Sequence, residues 1–169
     1  MTAACFVDAN VLVYERDRSN PRKREVAAML LAQLWRDQAG RTSVQALNEF
    51  YTIVTCKLPS PLTPEEAWKS VEELMLWNPQ AIDAPVMHSA RTIESRYRLS
   101  WWDALIVAAA KAQHCTVLHT EGLQHGAVID GIRISNPFLA QVQEAAQPAC
   151  QPVRVSGHRG RGRPRKTAA

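Results

Sequence analysis

The chain has 169 residues, 46% apolar and 21% charged, which suits one folded domain with a genuine core and a tail. No apolar run reaches the roughly 18–20 residues needed to span a bilayer. The amino-terminal Met1-Thr2-Ala3-Ala4 has no charged leader or cleavage site, so a cytoplasmic protein with no membrane role is expected. The net charge of +4 conceals a division. Residues 145–169 hold six cations (Arg154, Arg159, Arg161, Arg163, Arg165 and Lys166) and no acid, which leaves −2 for the rest of the chain. The four cysteines, Cys5, Cys56, Cys115 and Cys150, show neither Cys-x-x-Cys nor metal-ligand spacing and are expected to be buried thiols, with Cys150 the exception in the tail.

In chain order, Ala4-Cys5-Phe6-Val7 is a short apolar run that predicts a buried strand ending at Asp8. A short helix is expected over residues 10–16. Asn20-Pro21 then supplies a cap and a first-turn proline for a second helix. That helix carries Val26, Met29, Leu30 and Leu34 on one face and stops at Gly40. Thr42-Ser43-Val44 is the candidate second strand, followed by a helix over 45–57 with Leu47, Phe50, Tyr51 and Val54 inward. Thr63-Pro64-Glu65-Glu66 has the spacing of a capping box. Helices over 85–98 and 101–113 lead to a strand at Thr116-Val117-Leu118-His119, and Asp130-Gly131 predicts a two-residue hairpin turn between two further strands. Alternating strands and helices imply an α/β sheet, largely parallel. After Phe138 the pattern weakens, so the folded domain is placed at 1–144 and a disordered basic tail at 145–169.

Three acids stand near strand-to-helix junctions: Asp8 after the first strand, Glu49 in the helix after the second, and Asp103 in the first turn of the 101–113 helix. In parallel sheets the carboxyl ends of the strands form the ligand crevice, so all three can face one edge. Grouped carboxylates repel, and a hard divalent cation such as Mg²⁺ resolves the conflict while retaining waters. Taken singly, each acid has a plainer role: Asp8 as a helix cap, Asp103 as the partner of Ser100 in a capping box, Glu49 paired with a base. His119 and His125 are read as structural or solvent-facing. Trp101 and Trp102 are assigned to core packing, with at most one able to line the site and stack a base.

The segments "FVDANVLVY", "QALNEFY" and "LSWWDALIVAAA", in that order, resemble the successive acidic motifs of PIN-domain proteins, and "LHTEGLQHGAVIDGIRISNPF" is similar to their closing part. More specifically, the motifs resemble those of the VapC toxins of bacterial type II toxin–antitoxin pairs, and the likeness covers about residues 4–138. It implies a PIN-like α/β domain with a five-stranded, largely parallel sheet flanked by helices. It also implies an endoribonuclease dependent on Mg²⁺ or Mn²⁺, a homodimer, and a VapB-like antitoxin partner. Asp8, Glu49 and Asp103 match the first three acids, while Asn10 and Thr120 match supporting polar positions. The family's Thr-x-Asp reads Thr120-Glu121-Gly122 here, so the fourth acid is missing and Glu121 is the candidate substitute.

In the tail, Arg161-Gly162-Arg163-Pro164, followed by Arg165, resembles an AT-hook, a motif suited to narrow A·T minor grooves. The plainer reading is a polybasic segment that holds RNA or DNA through phosphates. Two rivals to the nuclease follow. One is a catalytically impaired nucleic-acid-binding or autoregulatory module that relies on the tail. The other is a phosphatase of the haloacid-dehalogenase type, which wants a second Asp where this chain has Asn10.

Overall fold

A computed structural model of the chain describes residues 3–139. The predicted tail, with Cys150 and the AT-hook-like residues, lies outside the described residues. The elements are β1 (Cys5–Val7), α1 (Ala9–Arg16), α2 (Pro21–Arg36), β2 (Gly40–Arg41), α3 (Val44–Cys56), α4 (Pro64–Met75), α5 (Ala84–Tyr97), α6 (Trp101–Ala112), β3 (Val117–His119), β4 (Val128–Ile129) and β5 (Ile132–Ser135). The strands form one sheet in the order β2-β1-β3-β5-β4. β2, β1, β3 and β5 run parallel, and β4 closes the edge antiparallel to β5. Asp130 (φ 49°) and Gly131 (φ 87°) turn the β4–β5 hairpin in the left-handed region, as Asp-Gly predicts.

Adjacent residues of β1 feed opposite faces of the sheet, the period-2 rule of a strand. Phe6 packs with α5 and α6 residues such as Ile93 and Val107, whereas Val7 joins Val11, Leu34, Phe50 and Leu74 from α1 to α4. The sheet is therefore the middle layer between two cores. Helix starts follow the capping residues in the sequence: Asn20, Ser43, Thr63, Asp83 and Ser100 each accept a hydrogen bond from a first-turn backbone N–H.

Four expectations are corrected. β2 falls at Gly40–Arg41 rather than at 42–44, because Ser43 is already the cap of α3. Gly40 does not stop α2, which ends at Arg36, with Gln38 (φ 53°) turning the chain. Gly40 is required for another reason: a Cβ there would overlap the Trp77 indole. Met29, expected inward, is 63% exposed, while α2 buries Ala27, Leu31 and Leu34. Cys115 is a buried free thiol, Cys5 is half-buried and Cys56 is exposed. Among the described residues no helix is long and apolar enough to cross a membrane.

Candidate active site

From β1 the chain passes through α1 and α2 to β2 on one side, then through α3–α6 to β3 on the other. The carboxyl ends of β1 and β3 thus open on a topological switch point, where parallel sheets bind ligands. Asp8 and Thr120 are the first residues beyond those two ends, and the Asp8 N–H donates to the His119 carbonyl across them (3.0 Å).

Asp8 is held entirely by neutral donors. Its Oδ1 accepts from the Ala9 N–H (2.7 Å), which makes it the cap of α1. Its Oδ2 accepts from Asn10 Nδ2 (2.8 Å) and from the Thr120 hydroxyl (2.8 Å). Thr120 Oγ1 accepts in turn from Asn10 Nδ2 and from the Gly122 N–H, both at 3.0 Å. Asn10 Oδ1 receives the Glu121 N–H (3.3 Å), so Asn10 laces the start of α1 to the loop after β3. Burial pushes the Asp8 carboxyl above its ordinary range; the Thr120 and Ala9 hydrogen bonds oppose this, and the charges of Glu49 and Asp103 add to it. Those two acids, 41 and 95 positions away in sequence, therefore act on Asp8 through space.

Glu49 is exposed on α3, and Gln45 Nε2 donates to its Oε1 (3.1 Å). Asp103, half-buried, lies in the first turn of α6. Ser100 accepts from the Asp103 N–H (3.1 Å) and donates to Asp103 Oδ2 (2.6 Å), so the predicted capping pair is present. Among the described residues no three such side chains enclose an ion as they stand. Glu49 and Asp103 are near enough for their charges to act on Asp8, but the three acids do not form a closed set of ligands.

Glu121 has a different environment. Its Oε1 accepts from the Tyr14 hydroxyl (2.6 Å) and its Oε2 from Lys23 Nζ (2.6 Å), and Lys23 also donates to the Tyr14 oxygen (2.9 Å). Lys23 sits over the Tyr14 ring, 4.3 Å from its centroid, and Tyr14 meets Phe138 edge-on at 4.9 Å. Burial lowers the Lys23 pKa, but the bonds to Glu121 and Tyr14 outweigh it and hold the ammonium above its usual value. Both oxygens of the candidate fourth carboxylate are thus engaged by a cation and a phenol. A Cβ at Gly122 would fit in ordinary contact, 3.6 Å from Thr120 Oγ1 and 4.0 Å from Asn10 Nδ2.

His119 is half-buried, and burial together with the charge of Arg133 lowers its pKa to about 4, so it is neutral in ordinary buffers. His125 Nδ1 accepts from the Asn136 N–H (3.0 Å) and fixes a loop. Trp101 packs against the core as expected, but Trp102 does not: it is 62% exposed beside Asp103. Sequence reasoning missed Tyr14, Lys23 and Gln45. Gln45 lies one helical turn before Glu49 and was accessible by the i, i+4 rule. Lys23 comes from α2 and carried no local signal.

The PIN domain family model matches residues 5–128, nearly three-quarters of the chain. The chain belongs to the PIN-domain family. Among solved structures, it is similar to VapC20 of Mycobacterium tuberculosis, described as a Sarcin-Ricin loop cleaving toxin, with a TM-score of 0.55 and 17% identity over 77% of this chain and 99% of that one. At that identity the likeness concerns the fold alone, and it agrees with the PIN-like α/β sheet read from the motifs. No curated protein sequence matches the chain.

Proposed function

We propose that this PIN domain is a divalent-metal-dependent endoribonuclease, the toxin of a type II toxin–antitoxin pair. The observation that carries the reading is Asp8: a half-buried carboxylate fixed by neutral donors at the switch point, under the added negative field of Glu49 and Asp103. Such a site gains most from a cation, and an RNA phosphodiester brings no positive charge of its own. Asp8, Glu49 and Asp103 would hold Mg²⁺ or Mn²⁺. Bound there, the metal supplies a water of lowered pKa and offsets charge on a phosphoryl oxygen. Asn10 and Thr120 orient Asp8, Gln45 orients Glu49, and Ser100 restrains one oxygen of Asp103. Glu121 we assign to the Tyr14–Lys23 pair and not to the metal.

Homodimerisation, a VapB-like antitoxin and a cytoplasmic location accompany this reading. Arg161, Arg163, Pro164 and Arg165 form, on this proposal, a salt-dependent anchor for RNA or DNA. The engagement of Glu121 favours one second reading, a binding module with impaired catalysis. The test is Asp8→Asn, which keeps an acceptor oxygen for the cap but weakens cation binding. With purified RNA and Mg²⁺, we expect cleavage to fall by at least about 100-fold, since loss of mere supporting residues costs 10–100-fold. An Asp8→Asn protein that cuts as fast as wild type overturns the nuclease assignment, and a wild type that binds RNA without Mg²⁺-dependent turnover establishes the second reading.

A further inference from the structure

A groove of about 840 Å³ runs between α3 and the start of α6, and it begins at the acidic site itself, because Glu49 is part of its lining. One wall is an edge of α3 that also carries Val44 and Ile53. Gln45, Asn48, Glu49 and Thr52 recur there at helical spacing, and Lys57 stands at the far end, just beyond the helix. The opposite wall is apolar, built from Trp102, Leu105 and Ile82. Trp102 immediately precedes Asp103 and leaves its indole 62% exposed, an unusual state for the largest apolar side chain.

Gln45 joins the two walls. It is 8% exposed, its amide nitrogen donates to Glu49 Oε1 (3.1 Å) and to the Trp102 carbonyl (3.4 Å), and its amide oxygen meets no donor among the described residues. The acid, the aromatic platform and the polar helix edge are therefore registered by one buried side chain.

We infer that this groove is a subsite for single-stranded RNA, in which Trp102 stacks an unpaired base next to the scissile phosphate. The inference rests on the ribonuclease reading and adds to it a residue, Trp102, that would recognise the substrate. In the occupied groove the α3 edge faces the base, with Asn48 placed to hydrogen-bond its rim, and Lys57 receives a neighbouring phosphate. An apolar partner would cover the same aromatic wall but leave the Asn48 amide and the Lys57 ammonium dehydrated, which is costly; the Thr52 hydroxyl is already satisfied by the Asn48 carbonyl (2.9 Å). A nucleotide supplies both a π-face and polar atoms. A base inside a duplex cannot reach the indole, so the subsite selects unpaired segments.

The test uses the full chain carrying Asp8→Asn, so that binding is measured without cleavage. A dye-labelled RNA oligonucleotide is titrated single-stranded and then annealed to its complement, with anisotropy as the readout. Adding Trp102→Ala should weaken single-strand binding about 5- to 150-fold, the loss of one stacked base, with duplex binding unchanged. Trp102→Phe should restore most of it. Lys57→Met should reduce the slope of log affinity against log salt by about one phosphate contact. Single-strand binding that is unaffected by Trp102→Ala overturns the proposal. So does a Trp102→Ala protein that keeps its RNA affinity but dissociates from dimer to monomer in sedimentation, which would make the groove a protein interface. Trp102-dependent binding in a protein whose Asp8-intact form cuts no RNA would support the subsite while defeating the ribonuclease reading.

Discussion

Two carboxylates stand on the loops that leave β1 and β3, and their surroundings differ in kind. Asp8 receives three hydrogen bonds, all from neutral groups: the Ala9 N–H, the Asn10 amide and the Thr120 hydroxyl. Glu121 receives an ammonium and a phenol, the ammonium at 2.6 Å. Neutral donors fix where a carboxylate points yet leave its charge uncompensated, whereas a salt bridge cancels the charge it positions. Asp8 thus retains an unmet demand for a cation, and Glu121 does not. On the proposed reading, the charge of an acid's partners is a better guide to ligation than its proximity to the crevice.

The comparison breaks most sharply at Thr120. Its hydroxyl donates to Asp8 and accepts from Asn10 and Gly122, so Thr120→Val keeps the shape and deletes the hub. We expect activity and Mg²⁺ affinity to drop about 10- to 100-fold, as for other residues that orient metal ligands, with about 1–3 kcal/mol lost in stability from the stranded partners. Activity assays and calorimetric metal titration read the two effects. An unchanged metal affinity would show that Asp8 needs no such positioning. A smaller effect tests the other carboxylate. Glu121→Gln keeps an acceptor for Tyr14 and removes the ion pair, so cleavage should change less than about threefold, and stability should fall by no more than about 1 kcal/mol, the worth of a partly exposed pair. A Glu121→Gln protein with Mg²⁺ affinity reduced tenfold would return Glu121 to the metal.

Much of this arrangement was legible in the sequence, because it is local. Asp8 follows an apolar triplet, Asn10 stands two residues on, and Ser100 caps at three residues before Asp103; each relation lies within one turn of chain. The order of the motifs supplied the fold, and the family match over residues 5–128 bears it out. The parts that escaped depend on tertiary placement. The glycine that opens β2 lies against the Trp77 indole, 37 residues away, and no periodicity reports that contact. Lys23 reaches Glu121 from another helix, and a lone lysine in a charged stretch reads only as solvated surface. Trp101 and Trp102 are identical neighbours on α6, and only the placement of that helix against α5 and the sheet decides which one packs inward.

His119 offers the smallest and finest test of the same contrast. Its backbone carbonyl bonds the Asp8 N–H, and a protonated imidazole would set a desolvated charge in the strand that holds Asp8. Burial and then Arg133 prevent this by lowering the His119 pKa to about 4. An unfolded histidine titrates near 6.5, so below that pH the unfolded chain binds a proton that the folded chain refuses. Folding stability attributable to this residue is therefore intact above about pH 6.5 and declines as pH falls toward 4. Chemical denaturation across that window should show His119→Gln losing the slope of one extra proton taken up on unfolding, whatever its effect on stability at pH 8. If wild type and His119→Gln share the same slope, the imidazole is charged in the folded protein, and burial does not keep the strand beside Asp8 neutral.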